Sequence, residues 1–119
     1  IPDYAQGTSF VPLIENPELH WKEAAFSQFH RRPKVSADGK RYMGYSMNTR
    51  KYHFISWYEW DSDSSTKGKF KSYELYDKEF DEFETQNLAD REDMIDIIAE
   101  LSTQLTEGWK KALPKSRMK

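Results

Sequence analysis

A short polar and basic run, Gln28-Phe29-His30-Arg31-Arg32 with Lys34 just behind it, holds the side chains best suited to chemistry in this 119-residue chain. A guanidinium presents planar, forked donors that match carboxylate and sulfate oxygens. Gln28 can both donate and accept, as sugar hydroxyls require. Phe29, or Trp57 further along, offers an apolar platform for a ring. Such groups at the end of a strand would make the rim of an anionic-sugar site. An ordinary basic turn after a strand is the other reading of the same residues.

Other candidate chemistry is thinner. The three histidines, His20, His30 and His53, form no HExxH or other close metal spacing. His20 and His53 read as structural or surface side chains, whereas His30 ends a strand beside two arginines. Asp61-Ser62-Asp63-Ser64-Ser65 has the look of a calcium loop, but Thr66 stands where glycine is needed and Ser72 where the bidentate glutamate belongs. That run is a solvated turn. Glu79, Asp81, Glu82 and Glu84 crowd together as a solvated acidic loop does. No Ser-His-Asp arrangement and no glycine-rich phosphate loop is suggested.

Those residues need a frame, and the chain is long enough to build one small domain, burying ~65% of its unfolded surface. Aromatic residues make up 15% of it, which argues against disorder despite 32% charged residues. A net charge of −2 argues against a general nucleic-acid binder. Without cysteine there can be no disulfide, zinc–thiolate site or cysteine nucleophile. No apolar run is long enough to span a bilayer. The opening Ile1-Pro2-Asp3-Tyr4 reads as the middle of a longer sequence.

The expected fold class is α+β: a four-stranded antiparallel sheet packed against one long C-terminal helix, in a single domain over 1–119. Residues 1–20 are a lead-in with a short helix, Phe10 to Ile14, capped by Ser9. The sheet occupies 21–76, with strands at 21–30, 41–48, 52–60 and 70–75. Asp38-Gly39 marks the first turn and Thr49-Arg50-Lys51 a hairpin connector. Asp61 to Lys69 reads as a polar loop, and 77–89 as irregular. Met94, Ile97, Ile98, Leu101, Leu105 and Trp109 recur at helical spacing and predict a helix over 90–113, with Asp90 as N-cap and Pro114 as its stop. That stripe is core. The tail Lys115 to Lys119 is expected to fray.

Four segments carry a family resemblance. Ala25-Phe26-Ser27-Gln28-Phe29-His30-Arg31 resembles an A-[YF]-S-Q-[YF]-P-R strand. Met43-Gly44-Tyr45-Ser46-Met47 resembles M-G-Y-S-[IM], and Tyr52 to Trp57 resembles Y-R-Y-T-x-W. Glu74-Leu75-Tyr76-Asp77, with Asp81, Glu84 and Asn87-Leu88-Ala89, resembles E-L-Y-D…D-P-x-E-x-x-N-L-A. Gly7 to Leu13 is similar to the segment before them. Together they resemble the C-terminal subdomain of an iduronate-2-sulfatase-like sulfatase over roughly residues 5–112. The chain departs from those patterns at His30, Asn48, His53 and Glu82.

The resemblance implies a non-catalytic part of an enzyme that hydrolyses sulfate esters of sugars, such as glycosaminoglycans or other polysaccharides. It implies a partner, the N-terminal catalytic subdomain or chain, which would carry a formylglycine nucleophile and a calcium ion. Neither is expected here, since there is no cysteine and no serine is followed two residues on by proline. The implied substrate-side positions are Gln28, Phe29, His30 and Arg31, with a sulfated carbohydrate as ligand. Trp57 matches a nearby motif aromatic, read as packing. A secreted, periplasmic or lysosomal location is implied too. A free-standing module for anionic glycans and a purely structural domain are the alternatives.

Overall fold

A computed structural model describes residues 2–114. Ile1 and the expected fraying tail lie outside the described residues. The elements are helix α1 (Val11–Glu15), strands β1 (Ala24–His30), β2 (Tyr42–Thr49), β3 (Tyr52–Asp61) and β4 (Thr66–Asp77), a 3-10 turn (Glu92–Met94) and helix α2 (Ile95–Glu107). The strands form one antiparallel sheet in the order β1-β2-β3-β4. Each connection joins neighbours, so the expected α+β architecture with its meander sheet stands.

Turn chemistry sets the register. Thr49 Oγ1 accepts from the Tyr52 N–H at 2.9 Å and closes a two-residue hairpin at Arg50 and Lys51. Between β1 and β2, Gly39 adopts a positive φ of 80°, and Asp38 Oδ1 accepts from the Lys40 N–H at 3.0 Å. The third connection is tighter than expected. Trp60 pairs with Lys67 and Asp61 with Thr66, so β4 begins at Thr66 rather than at residue 70. The Asp61–Ser65 run is this solvated turn, with Asp61 Oδ1 accepting from the Asp63 N–H at 3.0 Å.

Strand alternation divides the side chains between two faces. Phe26, Met47, Phe54 and Leu75 lie opposite one another in successive pairings and so share one face. Met47, Phe54 and Leu75 form the core with Ala24, Leu88, Leu101 and Ala112, and Phe26 packs against it together with Ile97, Ile98 and Leu105 of α2. Phe54, Met47 and Leu75 are fully buried. Burial stabilises the fold by about 1.5–3 kcal/mol for each such side chain. Tyr73 on β4 and Ser102 on α2 approach at 3.4 Å between hydroxyls.

Both predicted helices differ in their ends. Phe10, not Ser9, is the N-cap of α1, and Ser9 Oγ accepts only a long 3.4 Å bond from the Val11 N–H. The C-terminal helix does not begin on an Asp90 cap. Arg91 precedes the 3-10 turn, and no side chain caps either it or α2. Nor does α2 reach Pro114. It stops at Gly108, whose φ of 81° is a left-handed conformation that favours glycine. Trp109 therefore belongs to a turn beyond the helix, where its carbonyl accepts from the Ala112 N–H at 3.1 Å.

Candidate functional site

The same alternation splits the predicted rim. Gln28 pairs with Tyr45 and His30 with Met43, which puts both on the face that α2 covers in part. His30 meets Trp60 edge-on, with ring centroids 6.1 Å apart. Phe29 pairs with Gly44, itself opposite Trp57, on the other face. Arg31 follows there, its N–H donating to the Tyr42 carbonyl at 3.0 Å. The structure thus brings Phe29 and Arg31 together and holds Gln28 and His30 apart from them.

On this open face Phe29 and Trp57 form a T-shaped pair, centroids 5.4 Å apart at 90°. Gly44 makes room for it. A Cβ there would meet Trp57 Cη2 and Cζ3 at 2.9 Å, so the indole lies directly on the glycine backbone. The indole N–H donates to Glu74, whose other oxygen accepts from the Tyr76 hydroxyl at 2.5 Å. Burial, with the hydrogen bond to Glu74 behind it, pushes the Tyr76 phenol far above its ordinary value. The ring of Tyr42 carries two cations, the Arg31 guanidinium at 6.0 Å and Lys71 Nζ at 5.7 Å from its centroid. Arg31 makes no ion pair among the described residues.

Lys71 reaches this face through a bulge. The pairing steps from Trp57↔Ser72 to Tyr58↔Phe70, leaving Lys71 as an extra residue on β4. Regular alternation would send a neighbour of Ser72 to the helix side. A bulge re-aims one side chain in just this way. The Tyr42 hydroxyl donates to Asp38, a bond that holds the Asp38 carboxyl below its ordinary range and raises the tyrosine. Beside these groups runs a cleft of about 660 Å³ lined by Arg31, Trp57, Lys71, Ser72, Glu74 and Asn87, among others.

A second polar line crosses the other end of the open face, and sequence reading missed it. Ser46 Oγ lies 2.8 Å from His53 Nε2, and His53 Nδ1 meets the Glu84 carboxylate. Serine, histidine and carboxylate stand in the order of a hydrolase relay, contrary to the expectation that no such arrangement exists. Yet Ser46 is only 2% exposed, in mid-strand, and a substrate carbon cannot reach its oxygen. The line acts as a bracket: it ties β2 and β3 to the segment after β4. No sequence signal marks it, because its members stand 7 and 31 positions apart.

Among the described residues no group of three or more His, Asp or Glu side chains is placed to hold a metal ion. The donors among these described residues therefore do not gather into a calcium site. What the open face can do is bind: two cations for an anion, two rings for an apolar surface, and carboxylate and amide groups for hydroxyls.

This α+β fold, with its sheet and C-terminal helix, is the C-terminal domain of a sulfatase. The chain belongs to the family described as N-sulphoglucosamine sulphohydrolase, C-terminal, whose model matches residues 1–111. No curated protein matches the chain closely. The family supports a sulfatase C-terminal domain and does not extend to the iduronate-2-sulfatase-like branch that the motifs resemble. A C-terminal domain of this kind implies an N-terminal catalytic domain in the same protein.

Proposed function

We propose that this domain forms one wall of a sugar-sulfate pocket whose reacting centre lies on the catalytic domain. One observation carries the reading: Arg31 and Lys71 converge on the Tyr42 ring beside the Phe29–Trp57 pair, all on one open face. Paired cations suit a sulfate or carboxylate, and the ring edges suit the apolar side of a sugar. Phe29 and Arg31 lead the contact set, with Trp57 and Lys71 beside them. Gln28 and His30 face the other way, so their contact would come from a second stretch of the same glycan. Bond cleavage belongs to the formylglycine and calcium expected on the catalytic domain. The sugar is a sulfated one, with sulfur on oxygen or on nitrogen. Departures at His30, Asn48, His53 and Glu82 point away from iduronate as the particular sugar. A secreted, periplasmic or lysosomal setting follows from the family resemblance.

In the complete enzyme, Arg31→Ala is expected to raise KM for a sulfated sugar by about tenfold or more, the size of one charge-assisted hydrogen bond. An unchanged KM would leave a purely structural domain. Aryl-sulfate turnover by this chain alone would overturn the reading. Submillimolar glycan binding in a protein lacking any catalytic domain would mark a free-standing module instead.

A further inference from the structure

Phe80 and Phe83 are 87% and 82% exposed, more than any other phenylalanine among the described residues. They do not hang on a loose loop. The Asp81 carboxylate accepts from the Thr85 N–H and hydroxyl, each at 2.9 Å, and from the Gln86 N–H at 2.8 Å. The Lys78 N–H donates to the Lys51 carbonyl at 2.8 Å, and the Leu88 N–H to the Leu75 carbonyl at 2.8 Å. Asn87 Oδ1 accepts from the Leu75 and Ala89 N–H groups, both at 3.0 Å. Glu84 adds the link to His53. So many bonds fix the backbone that carries both rings, and a loop set in this way presents them at little ordering cost to a binding partner.

Charge narrows what they can bind. Glu82, between the two rings, makes no ion pair or side-chain hydrogen bond among the described residues. The nearby cations are committed: Lys51 bridges Asp77 at 3.7 Å, Arg91 pairs with Asp93 at 2.5 Å, and Lys78 Nζ donates to the Thr49 carbonyl. A complementary surface must therefore bring its own cations around an apolar recess. A second copy meeting this loop about a twofold axis would set Glu82 against Glu82. Anionic lipid is repelled by the same carboxylates.

We propose that Phe80 and Phe83 anchor this domain to the catalytic domain of the same protein, entering an apolar recess rimmed by lysine or arginine. The proposal rests on the two-domain reading above. Hydroxyl-radical footprinting of the complete two-domain enzyme tests it, comparing labelling of each ring in native and urea-unfolded protein. Strong native protection of Phe80 and Phe83 is expected, and labelling at the unfolded rate overturns the proposal. With the interdomain linker cut, Phe80→Asp combined with Phe83→Asp is expected to weaken association about a hundredfold, tenfold for each anchor lost, and Glu82→Lys about tenfold. Unaltered association of the folded variants would also overturn it, as would a homodimer that the double substitution dissolves. If a variant fails to fold, the footprint of the native enzyme still decides. A mature protein without a catalytic domain would sink both readings, whereas freely labelled rings in the two-domain enzyme would sink this one alone.

Discussion

The helix-side face of the sheet and its opposite are made by the same four strands, yet they are filled on different terms. On the helix side Met47, Phe54 and Leu75 meet Leu101 of α2, and apolar contact closes the space. The other side is filled by polar and aromatic groups. Ser46 and Tyr42 are buried there, under neighbouring side chains joined by directed bonds: Trp57 and Tyr76 to Glu74, His53 to Ser46 and Glu84, Tyr42 to Asp38. Apolar packing tolerates small changes of shape, whereas hydrogen bonds fix direction. One face therefore holds the domain together, and the other holds polar and aromatic groups at set angles toward whatever approaches.

Four measurements press on that contrast. The largest effect belongs to the helix side. Phe54→Ala, at a position with no solvent exposure, is expected to destabilise the domain by about 3–5 kcal/mol in chemical denaturation. A cost no larger than that of a surface change would mean that the core lies elsewhere. Next comes Gly44→Ala on the open face, where the new methyl meets the Trp57 ring. Overpacking should cost about 1–3 kcal/mol and shift indole fluorescence as the Phe29–Trp57 pair opens. An unshifted spectrum would show that the indole does not rest on this glycine.

Ser56→Ala runs the other way. Its buried Oγ has no hydrogen-bond partner among the described residues, and it pairs with Tyr45 on the helix side. Replacement is expected to be neutral or to stabilise by up to about 1 kcal/mol. A clear loss would reveal a partner for that hydroxyl. The smallest effect is acid loosening at Asp38. Its carboxyl titrates below the ordinary 3.8, chiefly through the Tyr42 hydroxyl. The resulting stabilisation is present above that value and is lost as pH falls through the lower, folded one. Tyr42 ring signals should move in that window while Met47 methyl signals stay still. Movement of both together would mean that the two faces are not separable.

Much of this frame was legible in the residues, and the misses have physical causes. Alternating aromatic and β-branched residues located β2 and β3 within a residue or two, and Asp38-Gly39 located its turn. The start of β4 was missed because Thr66 to Lys69 are exposed and polar, and their strand is held by backbone pairing with Trp60 and Asp61. The helix end was missed because Trp109 continued the apolar spacing past Gly108, where the backbone turns left-handed. At the candidate site, alternation divides residues that are contiguous in the chain. Four neighbours on a strand cannot share a face, so Phe29 and Arg31 part from Gln28 and His30. Lys71 was invisible because only a bulge, a property of pairing, turns it toward Tyr42.

The strictly sequential strand order bears on how the molecule comes into being. Every β pairing joins segments that follow one another along the chain, so each strand can add to an edge already formed. Such short loop closures favour rapid assembly. Along the chain the helix follows the meander, and the apolar layer closes only when the helix docks on it. Until then Phe54 and Leu75 lie bare, and that interval is when a nascent chain would most need shelter from aggregation.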